Sequence, residues 1–161
     1  MADTLSTLGV LVGARLKARG LVMTCAESCT GGWVAQTVTA VSGSSEWFDR
    51  GFVTYSNEAK QEMLGVPAAT IARFGAVSEE TARAMAVGAL THSHAQVALS
   101  ITGIAGPTGG TPEKPVGLVC FGWAKGEAAH TESKRFDGDR EAVRRQAVIH
   151  ALQGLLVLIE N

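Results

Sequence analysis

Apolar residues in the first twenty positions recur at Leu5, Leu8, Val12 and Leu16, the spacing of one helix face, with Gly20 as a stop. The run LVMTCA at 21–26 is short and continuous, as a buried strand is. A helix over Gly31 to Val41 follows, with Val34, Val38 and Val41 on one side, and Gly43-Ser44-Ser45 breaks it. GFVTY at 51–55 reads as a second strand, and Asn57 to Leu64 as a short helix ending at Gly65. Ser78 with Glu79 and Glu80 starts another helix whose acids suit its positive end, with Ala82, Met85, Ala86 and Ala89 as the buried stripe. QVALSI (96–101) and VGLVCFGW (116–123) are strand-like, and 130–136 alternates as an edge strand does. Asp139 caps a long last helix that turns Val143, Ala147, Leu152, Leu155, Leu156 and Ile159 to the core. Strands alternating with helices predict an α/β domain. Ligands in such sheets bind beyond the carboxyl ends of the strands.

Composition narrows this to one domain, spanning 1–161. The chain has 161 residues, 46% apolar and 18% charged, which excludes an intrinsically disordered polymer. With 14 basic and 15 acidic residues the net charge is −1, so no general nucleic-acid or anionic-membrane surface is indicated. No apolar run reaches the roughly 18 residues of a membrane span. Cys25, Cys29 and Cys120 are an odd number in a chain that reads without an export signal. A reduced, cytoplasmic protein is the expectation.

Three segments carry candidate chemistry. Ala26-Glu27-Ser28-Cys29-Thr30-Gly31-Gly32 joins a strand to a helix, which puts the Ser28 hydroxyl at a strand's carboxyl end. The N–H groups of Thr30, Gly31 and Gly32 fall at the helix start, where unpaired amides bind a phosphate or a developing oxyanion. Ser28 or Thr30 as an ordinary helix cap explains the segment equally well. In Thr54-Tyr55-Ser56-Asn57-Glu58-Ala59-Lys60, the chain's single tyrosine ends a strand and Lys60 falls in the next helix's first turn. An ordinary lysine titrates near 10.4, so only about one in 2,500 is neutral at pH 7. Burial and a helix N-terminus both lower that value. A neutral Lys60 can take a proton from Ser28, with the Tyr55 hydroxyl relaying or orienting it. The alternative makes Lys60 a solvated surface charge and Tyr55 a core residue with a wet tip. The third segment, Ser100 to Gly110, is a glycine-rich loop after a strand. It lacks the Gly-Lys-Ser/Thr of a phosphate-binding P-loop and the dinucleotide G-x-G-x-x-G spacing.

Other candidates are weaker. His92 and His94, two apart at a helix end, point to different sides, so no metal site is expected. Cys25 and Cys29 suit core packing. Arg140 and Arg144 are candidates for a phosphate contact, or for the solvated start of a capped helix.

Taken together and in order, AESCTGG, GFVTYSNEAK, GAVSEE, SITGIAGPTGG and EKPVG resemble the CinA C-terminal domain family, from about Leu5 to Leu156. The resemblance implies a three-layer α/β/α sandwich with a mixed sheet. It implies hydrolysis of nicotinamide mononucleotide (NMN) to nicotinate mononucleotide and ammonia, in pyridine nucleotide salvage, without metal or cofactor. By motif, its catalytic serine is Ser28, its tyrosine Tyr55 and its lysine Lys60. Thr102, Gly103, Ile104 and Gly106 resemble its substrate-facing loop, and a homodimer is suggested. Thr30 and Gly31 are expected at the oxyanion and Arg140 at the substrate. Two rival readings are a non-catalytic nucleotide-binding module and a Ser-Lys amidase for another small amide.

Overall fold

The computed structural model describes residues 3–161. In chain order its elements are α1 (Thr4–Arg19), β1 (Met23–Glu27), α2 (Trp33–Thr39), a 3₁₀ turn at Ser44–Glu46, β2 (Phe48–Val53), α3 (Asn57–Leu64), α4 (Ala68–Phe74) and α5 (Glu79–Thr91). There follow β3 (Val97–Gly103), β4 (Leu118–Lys125), β5 (Ala128–Arg135) and α6 (Arg140–Glu160).

Helix boundaries follow local chemistry. The Asp3 carboxylate accepts the Leu5 N–H at 2.7 Å at the start of α1, and Gly20, at φ 65°, ends it in the left-handed region. Ser56 caps α3 through the Ala59 N–H, Ser78 caps α5 through the Thr81 N–H and Asp139 caps α6 through the Ala142 N–H.

The five strands lie in the order β2-β1-β3-β4-β5. β2, β1 and β3 are parallel, and β4 and β5 add antiparallel. Helices cover both faces, so the expected three-layer α/β/α arrangement with a mixed sheet is what forms. On one face α1, α2 and α6 enclose the larger core, with Val12, Leu16, Val34, Leu99, Phe121, Ala147 and Leu152. On the other, α5 covers the sheet with α3 and α4 beside it, and Ala26, Leu64, Met85, Ala89 and Ala98 form a smaller core. β1 is buried along its whole length, Thr24 and Glu27 included, which explains why its sequence does not alternate between apolar and polar. α6 is long and apolar enough to cross a membrane by composition, but Val143, Ala147, Ala151, Leu152, Leu155 and Ile159 are already buried as core.

Several expectations move. β2 begins at Phe48 rather than 51 and stops at Val53, because its residues are an exposed, charged edge with little apolar signal. Thr54 and Tyr55 therefore lie beyond the strand. β4 spans Leu118–Lys125 rather than 116–123. α4 was not expected from the sequence; none of its residues is buried, so it carries no core stripe to read.

The topology locates the site. After β1 the chain adds β2 on one side and later β3 on the other, so the carboxyl ends of β1 and β3 lie together where the direction of winding reverses, and that is where a crevice opens. The helix carrying Lys60 is held by a close approach: a Cβ on Gly88 in α5 would lie 2.1 Å from the Leu64 carbonyl oxygen at the end of α3. Gly88→Ala is therefore expected to lose on the order of 1–2 kcal/mol in chemical denaturation, the overlap outweighing alanine's better helix propensity. A gain in stability contradicts this packing.

Candidate active site

The turn from β1 to α2 presents Ser28. Its N–H continues the sheet by donating to the Ile101 carbonyl at 3.0 Å, so the residue is fixed at the strand's end. The reversal falls on Gly31 and Gly32, at φ 59° and 106°; a side chain at either position would be strained. Ser28 itself needs no unusual backbone and is buried but for its cavity-facing edge.

Lys60 approaches from the other side of the crevice. A helical side chain leans toward its helix N-terminus, so a lysine in the first turn of α3 reaches back over the end of β2. Its Nζ lies 3.0 Å from the Thr54 carbonyl, 3.2 Å from the Tyr55 carbonyl and 3.1 Å from Ser28 Oγ. Lys60 is 1% exposed, so it is not a solvated surface charge. Burial pushes its pKa below the ordinary lysine value. A Cys29 thiolate would raise it again, but burial lifts that thiol to about 12, so Cys29 is an uncharged thiol at neutral pH.

The hydrogen-bonding inventory accommodates either protonation state. Two of the three partners are carbonyl oxygens, which only accept. A neutral –NH₂ has two N–H donors for them and one lone pair, which is left for the Ser28 hydroxyl. The ammonium form would instead donate to all three and take up the serine's oxygen.

Ser28, Tyr55, Lys60, Thr102, Gly103, Ile104, Gly106 and Arg140 line one cavity of about 350 Å³. Cys29, Asn57, Ala76 and Val77 join them. All four lie inside quoted motifs but were not singled out as cavity residues; Ala76 and Val77, just before α5, are apolar and carry no chemical signal of their own. Thr102 Oγ1 donates to the Ala76 carbonyl at 2.8 Å, tying the end of β3 to that segment.

Tyr55 stands differently from either sequence reading. It is 65% exposed, so it is not a core residue. Its main-chain carbonyl holds Lys60, while its hydroxyl is 3.5 Å from a guanidinium nitrogen of Arg140. Among the described residues no hydrogen bond joins that hydroxyl to Ser28 or Lys60. Arg140 donates to the Gly106 carbonyl at 2.8 Å, so phenol, guanidinium and glycine-rich loop form one wall of the crevice.

Two expected residues sit behind the site rather than in it. Thr30 is buried, with its hydroxyl on the Glu27 carboxylate at 2.7 Å. The Gly31 N–H donates to the Ser28 carbonyl at 3.1 Å and is not free for a ligand. Neither lines the cavity. The sequence missed this because backbone amides in a glycine turn satisfy one another when the turn closes tightly. Arg144 is likewise used internally, donating to the Cys29 and Thr30 carbonyls at 3.0 and 3.2 Å and lying over the Trp33 ring. Among the described residues no group of three or more His, Cys, Asp or Glu side chains is placed to hold a metal ion.

The chain is similar to known proteins over nearly all of its length. The CinA C-terminal domain family matches residues 5–159. The chain is 58% identical over 158 residues to the nicotinamide-nucleotide amidohydrolase PncC of Escherichia coli strain K12, covering 96% of this chain and 95% of that protein. It is 50% identical over 156 residues to PncC of Pseudomonas putida, covering 97% and 98%. The crystal structure of a competence/damage inducible protein from Agrobacterium tumefaciens superposes with a TM-score of 0.94 at 42% identity, over 100% of this chain and 98% of that one. With its sheet order, its Ser28–Lys60 crevice and these matches over nearly all of its length, the chain belongs to the CinA C-terminal domain family.

Proposed function

We propose that this protein hydrolyses the carboxamide of nicotinamide mononucleotide, releasing nicotinate mononucleotide and ammonia by way of an acyl-enzyme on Ser28. One observation carries the reading: an amine buried against two carbonyls, with its remaining valence 3.1 Å from a serine hydroxyl in an open crevice. A buried lysine with no carboxylate partner is an expensive arrangement that simple ligand binding does not need. The PncC relatives, similar over nearly the full length of both chains, supply the substrate class.

In the first half-reaction Lys60 Nζ takes the Ser28 proton as Oγ bonds to the carboxamide carbon. The carbonyl π-electrons move onto oxygen, giving a tetrahedral oxyanion. Gly31 is excluded as its donor. The Cys29 N–H lies next to the nucleophile in a residue that lines the cavity, and among the described residues it donates to no main-chain carbonyl, so it is our candidate. Collapse of the oxyanion breaks the C–N bond. The proton held by Lys60 passes to the leaving nitrogen, and ammonia departs. Water then attacks the ester and gives its proton to Lys60. That proton returns to Ser28 Oγ as the C–O bond breaks, freeing the carboxylic acid. Tyr55 and Arg140 act on the substrate's side of the crevice, where the exposed guanidinium faces an anionic ligand and the phenol supports it.

Purified protein is expected to release ammonia from NMN with a one-dalton gain on the nucleotide, and Ser28→Ala to lose about 1,000-fold or more of that rate. Near-native turnover by Ser28→Ala rules out the serine as nucleophile. The lowered Lys60 pKa sets the pH dependence: protonation removes the lone pair, so kcat/KM falls as pH drops and rises with pH to a midpoint below the ordinary value of about 10.4. A profile flat between about pH 6 and 9, or an active Lys60→Arg variant, contradicts a lysine base. The protonated Cys29 thiol predicts that iodoacetamide at neutral pH leaves turnover unchanged; rapid inactivation by modification at Cys29 contradicts it.

A further inference from the structure

Directly behind the nucleophile lies a second buried ionisable group to which the mechanism assigns no step. Glu27, the last residue of β1, is 1% exposed, and among the described residues no lysine, arginine or histidine pairs with it. Its oxygens are occupied by donors from the nucleophile's own turn and the helix beyond it. Oε1 accepts the Thr30 hydroxyl at 2.7 Å and the Val34 N–H at 2.8 Å; Oε2 accepts the Ala35 N–H at 3.1 Å and faces the Cys25 thiol at 3.8 Å.

Val34 and Ala35 are the second and third residues of α2. Their amides are those that a helix cap ordinarily satisfies, yet the capping position is Gly32, which has no side chain to offer. Gly32 is required there by its φ of 106°, so the cap arrives from β1 instead. The turn holding Ser28 is thereby clamped from two sides. Glu27 takes its hydroxyl and the amides beyond it, and Arg144 of α6 takes the Cys29 and Thr30 carbonyls. Two adjacent left-handed glycines make this turn flexible in isolation. The Glu27 main-chain carbonyl also accepts the Thr54 N–H at 2.8 Å, and the Thr54 carbonyl in turn holds Lys60. Nucleophile and base are both referred to this one residue.

We propose that Glu27 is a positioning residue for the reaction, its carboxyl group holding the glycine turn so that Ser28 Oγ stays within reach of the Lys60 lone pair. The inference rests on the reading of Ser28 as nucleophile. In Glu27→Gln the amide oxygen can still serve Thr30 and Val34, but its NH₂ then opposes the Ala35 N–H, and one end of the clamp is lost. Thr30→Val removes a single link and leaves the carboxylate on α2.

The test is the rate at which a fluorophosphonate labels Ser28, read by peptide mass spectrometry alongside kcat and KM for NMN, at a temperature where circular dichroism shows each variant folded. Glu27→Gln is expected to slow both labelling and kcat by about 10- to 100-fold, with KM within about threefold of wild type, as displacement of a reacting atom by a fraction of an ångström does. The pH midpoint assigned to Lys60 should not move. Thr30→Val should slow labelling by about three- to tenfold, and it carries the test alone if Glu27→Gln does not fold. Labelling unchanged in a folded Glu27→Gln, or in Thr30→Val where only that variant folds, overturns the proposal, as does a loss expressed in KM with kcat intact. Failure of the underlying reading is separately visible: wild-type Ser28 would resist the probe, and Ser28→Ala would keep its turnover.

Discussion

The site depends on the Lys60 amine being held out of water by acceptors that cannot neutralise its charge. Two main-chain carbonyls offer dipoles but no counter-ion, and the surrounding burial penalises the ammonium form. On the proposed reading, the same enclosure favours the uncharged amine and leaves its third position for the Ser28 hydroxyl. A carboxylate beside Lys60 would reverse this, restoring the proton and turning the pair into a salt bridge. The fold keeps its nearby carboxylate, Glu27, turned away into α2 instead.

Each participant is set by a different element, and the sheet relates them. Ser28 ends β1, Lys60 leans back from the first turn of α3, and Thr102 to Gly106 continue from β3. These three meet because β1 lies between β2 and β3 with all three strands parallel, so their carboxyl ends share one edge of the molecule. The antiparallel pair β4 and β5 extends the sheet away from the crevice. α6 crosses back with Arg140 at the cavity and Arg144 one turn on, behind the serine.

Much of this could be read from the chain before any coordinates, for local reasons. Gly31-Gly32 after a short apolar run marks a strand-to-helix turn, and the serine just before it falls at the strand's end. The place of Lys60 at the start of α3 follows from Ser56 and Gly65 as helix boundaries. What was illegible is long-range or main-chain chemistry. Periodicity does not show that Tyr55 serves Lys60 through its carbonyl while its hydroxyl turns to Arg140. Nor does it show that Glu27 caps a helix it does not belong to, or that the Gly31 amide is spent on Ser28. α4 escaped because none of its residues is buried, and β2 was placed late because an edge strand beginning Phe-Asp-Arg lacks an apolar signature.

The proposed chemistry turns on one nitrogen, whose protonation can be followed by titration. In protein labelled with ¹⁵N at lysine side chains, the Nζ resonance assigned to Lys60 through a Lys60→Met spectrum should titrate with a midpoint clearly below the ordinary lysine value of about 10.4. A midpoint at or above that value would mean that the folded protein keeps Lys60 charged, and would leave Ser28 without a base.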